Sequence, residues 1–197
     1  WSLKRSGSAY NMGDGETRGG SVPMLPPELA HDVLSLNEGV ARNAVSLFLD
    51  IRAGEVVGRR HARTRIVNRC ATTYAALGEG RTPELAAAKT LLRQLSGASE
   101  PEELIAWAMI EYNAYFGALL SADADAGARA AGLLRVQHEA GCAGAYALAG
   151  AAGHRGHVSL GLERYAHTSS PIRRYSDLHN QHAIFHTLPE SAALDAA

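Results

Sequence analysis

Lysine is almost absent from this sequence of 197 residues: of 19 basic residues, 17 are arginine, and only Lys4 and Lys89 are lysine. Cysteine is as scarce. Cys70 and Cys142 make neither a disulfide framework nor a zinc pattern, and they point to a reducing, intracellular setting, cytoplasm or organelle matrix, rather than to a secreted protein. No apolar run approaches the roughly 18–20 residues that cross a bilayer as a helix, so no membrane partner is expected. Net charge is nearly missing too, at a formal -1, which removes the simple argument for nucleic acid from a basic isoelectric point. Hydrophobic residues make up 46% and charged residues 20%, close to the globular average, so disorder is not expected either. No targeting leader is readable behind Trp1, and the Ala-rich stretch at residues 191–197 closes the sequence.

What is present is arginine, whose planar fork fits phosphate where lysine offers a point charge; a coding bias in an Ala- and Gly-rich chain accounts for the same count. The stretch from Tyr10 to Gly20 has the composition of an exposed loop. Pro26 and Pro27 open a short helix through Leu34. The run Ala44 to Ile51 and the run Arg63 to Val67 read as two strands, joined by a turn around Gly54 and Gly58. Thr82-Pro83-Glu84 leads into a helix over Leu85 to Leu95 that stops at Gly97. Ser99 to Glu102 matches a capping box ahead of Leu104, Ala108, Tyr112 and Tyr115 at helical spacing. Asp123 to His138 reads as an Ala-rich helix, Val158 to Leu162 as a strand. Ser170-Pro171 reads as the start of a last helix with Ile172, Tyr175, Leu178 and Phe185 on one apolar face. The order, a β-rich front half and an α-helical back half, implies an α+β fold.

Two places gather charge. Arg52 to Arg69 holds six arginines (Arg52, Arg59, Arg60, Arg63, Arg65 and Arg69) against the single acid Glu55, a net +5 over 18 residues. Such a hairpin tracks a phosphate backbone, although a solvated hairpin tip is the plainer reading. The second place is Ser170-Pro-Ile-Arg173-Arg174. The helix dipole disfavours cations at a helix start, where free N–H groups favour an anion. Two arginines there call for a phosphate or carboxylate between them, or for an ion pair with Asp177. The nine histidines include His154/His157 and His179/His182 at i,i+3; these read as core or surface residues, and no metal ligands are assigned.

The stretch His157-Val-Ser-Leu-Gly-Leu-Glu-Arg-Tyr-Ala-His-Thr-Ser-Ser-Pro-Ile-Arg-Arg-Tyr-Ser-Asp177 resembles the signature of the ribonuclease II (RNB) family of exoribonucleases. A second block, Val22-Pro-Met-Leu-Pro-Pro-Glu-Leu29 followed by Leu34 to Ser46, is similar to that family's P-M-L-P region. Arg65 to Tyr74 and Met109-Ile110…Asn113 resemble two further segments in the same order. The resemblance implies an RNB-type catalytic domain in part, over residues 1–188 with 189–197 as a tail, and a chain that is a segment of something longer. It implies 3′-to-5′ hydrolysis of single-stranded RNA, with Mg2+ as the family's cofactor. It also implies that Arg173 contacts the scissile phosphate, that Arg174 is its neighbour, and that Tyr10 and Tyr74 line the RNA path by stacking. Arg59, Arg60, Arg63 and Arg65 are the hairpin's candidate RNA contacts.

The sequence also departs from that pattern. The family's closely spaced aspartates are missing, and Asp14 and Glu16 do not replace them. Ala106 and Trp107 stand where a glutamate pair is usual, Thr168 where an aromatic is usual, and Gln181-His182 where His-Arg is usual. The link from Tyr10 to Val22 is longer than the family's. Two-metal hydrolysis needs those carboxylates. Two readings follow: a portion of a working exoribonuclease, or an inactive RNB-like domain that binds RNA or serves as a scaffold among other proteins of a ribonucleoprotein assembly. A neutral structural protein is a third, and it expects Arg59, Arg60 and Arg63 to contact protein carboxylates.

Overall fold

The computed structural model describes residues 2–3, 23–125, 132–151 and 156–187. Strand β1 (Ser2–Leu3) pairs parallel with β4 (Ala71–Thr72). After Pro26 and Pro27 comes the expected helical stretch, finished as a π-turn over Leu29–Val33. Arg42 clamps it to the next strand: its Nε donates to the Ser35 carbonyl, and its Nη2 lies 2.7 Å from the Asp32 carboxylate.

Strands β2 (Ala41–Arg52) and β3 (Glu55–Val67) form the long hairpin that alternation predicts, paired antiparallel from Ala41↔Val67 to Arg52↔Glu55. The turn is tighter than expected. Only Ala53 (φ 51°) and Gly54 (φ 83°) connect the strands, both left-handed as a two-residue hairpin of this hand requires. Gly58 lies inside β3, opposite Asp50 where the register shifts. Successive side chains point to opposite faces, so Val45 and Leu47 pack on the core while Ser46 and Thr64 join hydroxyls at 2.7 Å on the other face.

Helix α1 (Tyr74–Glu79) is capped by Thr73, whose hydroxyl accepts from Ala76 N. Helix α2 (Pro83–Ser96) has the predicted Thr82 cap and the predicted left-handed Gly97 stop. Helix α3 (Pro101–Asp125) starts one residue later than a Ser99 cap requires: the Glu100 carbonyl accepts from the N–H groups of Glu103 and Leu104. At 25 residues it is roughly 37 Å long and serves as the axis of the molecule. Its first turns cover a small cluster of Ala76, Leu77 and Leu85 through Ile105. Its later turns supply Phe116 and Leu120 to the main core, with Leu134, Val136, Ala149, Ala166, Ala183 and Ile184.

Three expectations are corrected beyond α3. No helix runs from Asp123 to His138, because α3 stops at Asp125 and Leu133–Val136 is strand β5, paired antiparallel with β6 (Ala145–Leu148). Leu134 and Val136 point inward at period two, a signal hidden in a run of alanines. Val158–Leu160 is a turn of 3-10 helix rather than a strand, flanked by single bridges of His157 to Gln137 and to Leu162. The last helix, α4 (Tyr175–Thr187), begins at Tyr175, not at Ser170. Its buried side is Ser176, Asp177, Asn180, Ala183 and Ile184, while Tyr175 is 70% and Phe185 47% exposed. The apolar face expected on α4 is therefore its outer face. A second β-hairpin in the back half adds to the α+β layout.

Candidate nucleic-acid interface

The segment from Glu163 to Asp177 lies across α3 and turns into α4. Gly117 permits the approach, since a Cβ there would stand 2.9 Å from Ala166 N and from Tyr165 N and Cα. Asn113, 2% exposed, is the hub. Its Oδ1 accepts from Thr168 N (3.0 Å) and the Thr168 hydroxyl (2.9 Å), its Nδ2 donates to Tyr165 Oη (3.1 Å), and its carbonyl accepts from Ala166 N. Thr168 thus makes two bonds to Asn113 that an aromatic in its place would not offer. Asn180 ties α4 to the carbonyls of Leu133 and His167 and accepts from Leu133 N. Gln181 Nε2 donates to the Thr168 carbonyl and to Tyr112 Oη, which itself donates to the Val45 carbonyl. Burial pushes the Tyr112 phenol up to about 12, with the Gln181 hydrogen bond opposing. This buried polar frame is complete, as such groups require.

On that frame sits the arginine turn. The Ser170 carbonyl accepts from the N–H groups of both Arg173 and Arg174 at 3.2 Å, so the two arginines occupy the turn before α4 rather than its first turn. Asp177 is fully buried and holds the turn from below. Its Oδ1 accepts from Ser170 N at 2.8 Å and from Arg174 Nη2 at 2.7 Å, and its Oδ2 accepts from the Ser176 hydroxyl. The ion pair of Arg174 with Asp177 is the one the i,i+3 spacing allows. Arg173 donates through Nη2 to Ser170 Oγ at 3.2 Å and remains half-buried.

Beside the turn, Tyr146 Oη lies 3.0 Å from Ser176 Oγ and 2.7 Å from His167 Nδ1. Burial, then the nearby Arg174, push the His167 imidazole down to about 4, so it is neutral at pH 7. His157 shifts down as well, from burial and the charge of Arg135. The sequence did not single out Arg135 or Tyr146, and the histidines read as core or surface. Only the period-two register of a strand hidden among alanines would have exposed the first two.

The hairpin arginines lie elsewhere. Arg59 pairs with Glu111 of α3 at 2.9 Å. Arg60 covers its cross-strand partner Phe48, 4.1 Å from the ring centroid. Arg63 stacks 3.5 Å over Phe185 and donates to its carbonyl. Arg65 is exposed opposite Asn43. Alternation puts Arg59, Arg63 and Arg65 on one face and Arg60 on the other, so they make no single basic surface. Phe185 is ten residues along α4 from Tyr175, roughly 15 Å, so Arg63 does not adjoin the arginine turn. Of the three arginines that a purely structural protein would pair with carboxylates, Arg59 is so paired, with Glu111. Tyr74 opens α1 half-buried. Tyr10, Asp14 and Glu16 lie outside the described residues.

Among the described residues no three His, Cys, Asp or Glu side chains group as a metal site. The residues present therefore do not fit a bound Mg2+ there, and no step is derived through one. Nor is any described helix long and apolar enough to cross a membrane.

Comparison with known proteins gives this arrangement its relatives. Residues 133–190 match the family model of the RNB domain, which spans the second hairpin, the arginine turn and α4. Among solved structures, the fold is similar to that of Mycoplasma genitalium RNase R, both in its apo form and in complex with ribose-methylated single-stranded RNA. Each match has a TM-score of 0.66 and 16% identity, over 83% of this chain and 40% of that one. It is equally similar to yeast Ssd1, described as a pseudonuclease, at TM-score 0.68 and 14% identity over 87% of this chain and 32% of that one. No curated protein matches the sequence. The chain thus spans well under half the length of these structural relatives, and at such identities the likeness is one of fold. The family likeness thus belongs to residues 133–190, and the rest of the described chain shares the fold of these structures.

Proposed function

We propose that this chain, an RNB-type domain, holds single-stranded RNA for 3′-to-5′ exoribonucleolytic processing of the ribonuclease II kind, with Arg173 on the backbone phosphate. The observation that carries this is the arginine turn. Asp177 neutralises Arg174 from the buried side and fixes Ser170, so Arg173 is presented by a rigid loop just ahead of a helix start. A guanidinium fork held by a fixed loop suits a phosphate oxygen and stabilises charge that develops on it. Tyr74, Arg59, Arg60, Arg63 and Arg65 stay separate candidates for stacking and backbone charge, away from the turn. Mg2+ is the cofactor such hydrolysis would use, and its carboxylate ligands would have to come from residues other than those described. An intracellular setting goes with this reading, as do further protein partners in a ribonucleoprotein assembly.

A second reading is an RNB-like domain that binds RNA without cutting it. The lack of a metal-holding group among the described residues, and Ala106 and Trp107 in place of paired acids, favour it. Incubation of the full native polypeptide with 5′-labelled single-stranded RNA and Mg2+ separates the two. Stepwise shortening that Arg173→Ala abolishes supports the nuclease. Tight, salt-sensitive binding with no shortening supports the second reading, and no binding at all contradicts both.

A further inference from the structure

Arg135 leaves β5 opposite Tyr146, its guanidinium 4.9 Å from the ring centroid, and no carboxylate pairs with it among the described residues. The Tyr146 hydroxyl reaches His167 and Ser176. The Tyr165 ring stands between His167, at 5.7 Å, and His157, at 5.3 Å. Four elements thus bring two guanidinium groups and two imidazoles to one place, with the buried carboxylate of Asp177 among them. That carboxylate is already engaged by Ser170, Ser176 and Arg174. Two buried nitrogens of this group, Arg174 Nε and His157 Nδ1, have no hydrogen-bond partner among the described residues. The charges repel: Arg174 and Arg135 both drive His167 towards its neutral form. Such a gathering is unfavourable when empty and is relieved by an anion with several acceptor oxygens. The place is open to solvent on one side, where Tyr146 is 43% exposed.

We propose that Arg135 and Arg174, with His157 beside them, form a second anion site that takes a phosphate group, that of the RNA backbone next to the one at Arg173. This rests on the RNA-binding reading above. The guanidinium of Arg135, held 4.9 Å from the Tyr146 ring centroid, offers the fork of a bidentate contact, and Tyr146 serves as its platform.

The test uses Arg135→Gln and Arg135→Lys in the full chain, with single-stranded RNA in chelator over a salt series and with inorganic phosphate followed by the NMR signals of His157 and His167. Arg135→Gln should weaken RNA binding on the order of tenfold and lower the slope of log K against log salt by about one. Arg135→Lys, which keeps the charge but not the fork, should fall between. Phosphate should shift the histidine signals in the unaltered chain and not in Arg135→Gln. If Arg135→Gln leaves affinity and slope unchanged while Arg173→Ala weakens binding, the second site is wrong and the RNA reading stands. If the unaltered chain binds no RNA yet phosphate moves the histidines, the RNA reading fails and the site serves a free phosphate-bearing ligand. Silence in both overturns the site itself.

Discussion

Two regions of this molecule carry arginine, and they treat it in opposite ways. In the β2–β3 hairpin three arginines rest on neighbouring side chains: Arg59 on Glu111, Arg60 on Phe48, Arg63 on Phe185. In the segment from Glu163 to Asp177 the protein does the reverse. Fully or nearly buried polar groups (Asn113, Thr168, Asp177, Asn180) are spent on fixing the backbone, and Arg173 is carried on top of them. A run of charge in a sequence therefore says less about ligand binding than the rigidity of what lies beneath it.

The largest effect that would break this contrast is at the hub. Asn113→Ala leaves Thr168 N and its hydroxyl, both buried, without their acceptor, and should cost about 3 kcal/mol, a Tm fall on the order of 10 °C by calorimetry. Gly117→Ala should follow closely, at about 2 kcal/mol, because the new methyl meets backbone rather than a movable side chain. Equal stability of either variant to the parent would show that the frame is not what holds the turn.

The pH response sharpens the same point. His167 titrates at about 4 in the fold against about 6.5 when unfolded. Below 6.5 the unfolded chain takes up a proton that the folded chain refuses, so this group's contribution is full above 6.5 and is lost as the pH falls towards 4. Screening at a partly exposed site leaves roughly 1–2 kcal/mol. The Tm drop between pH 7 and pH 4.5 should therefore be smaller in His167→Gln than in the parent. An identical drop would mean that His167 is not held neutral. The smallest effect belongs to the hairpin: Arg59→Ala removes an exposed pair worth at most about 1 kcal/mol, and a Tm change beyond a few degrees would contradict its description as a surface contact.

How much of this was legible depends on where the polar groups went. A hairpin was legible in the runs Ala44 to Ile51 and Arg63 to Val67, though its strands reach further, over Ala41–Arg52 and Glu55–Val67; α2 was legible in its Thr82 cap and Gly97 stop. An ion pair with Asp177 was one of two readings the spacing left open, and it forms with Arg174. The faces of α4 were not, because hydrophobic periodicity assumes an apolar buried side, whereas this helix buries Ser176, Asp177 and Asn180 and leaves Tyr175 and Phe185 in water. Strand β5 was hidden because four residues of period two cannot stand out from alanine-rich flanks. With β5 went Arg135, whose role depends on pairing with Tyr146 eleven residues on.

The central claim is that RNA meets this protein at the arginine turn, and that the hairpin arginines are secondary. The most direct test is the affinity of the full chain for single-stranded RNA in chelator, over a salt series, for Arg173→Ala beside Arg59→Ala. The account predicts a loss on the order of tenfold or more for Arg173→Ala with an unchanged Tm, and little change for Arg59→Ala. Equal losses in both, or a loss confined to Arg59→Ala, would contradict it.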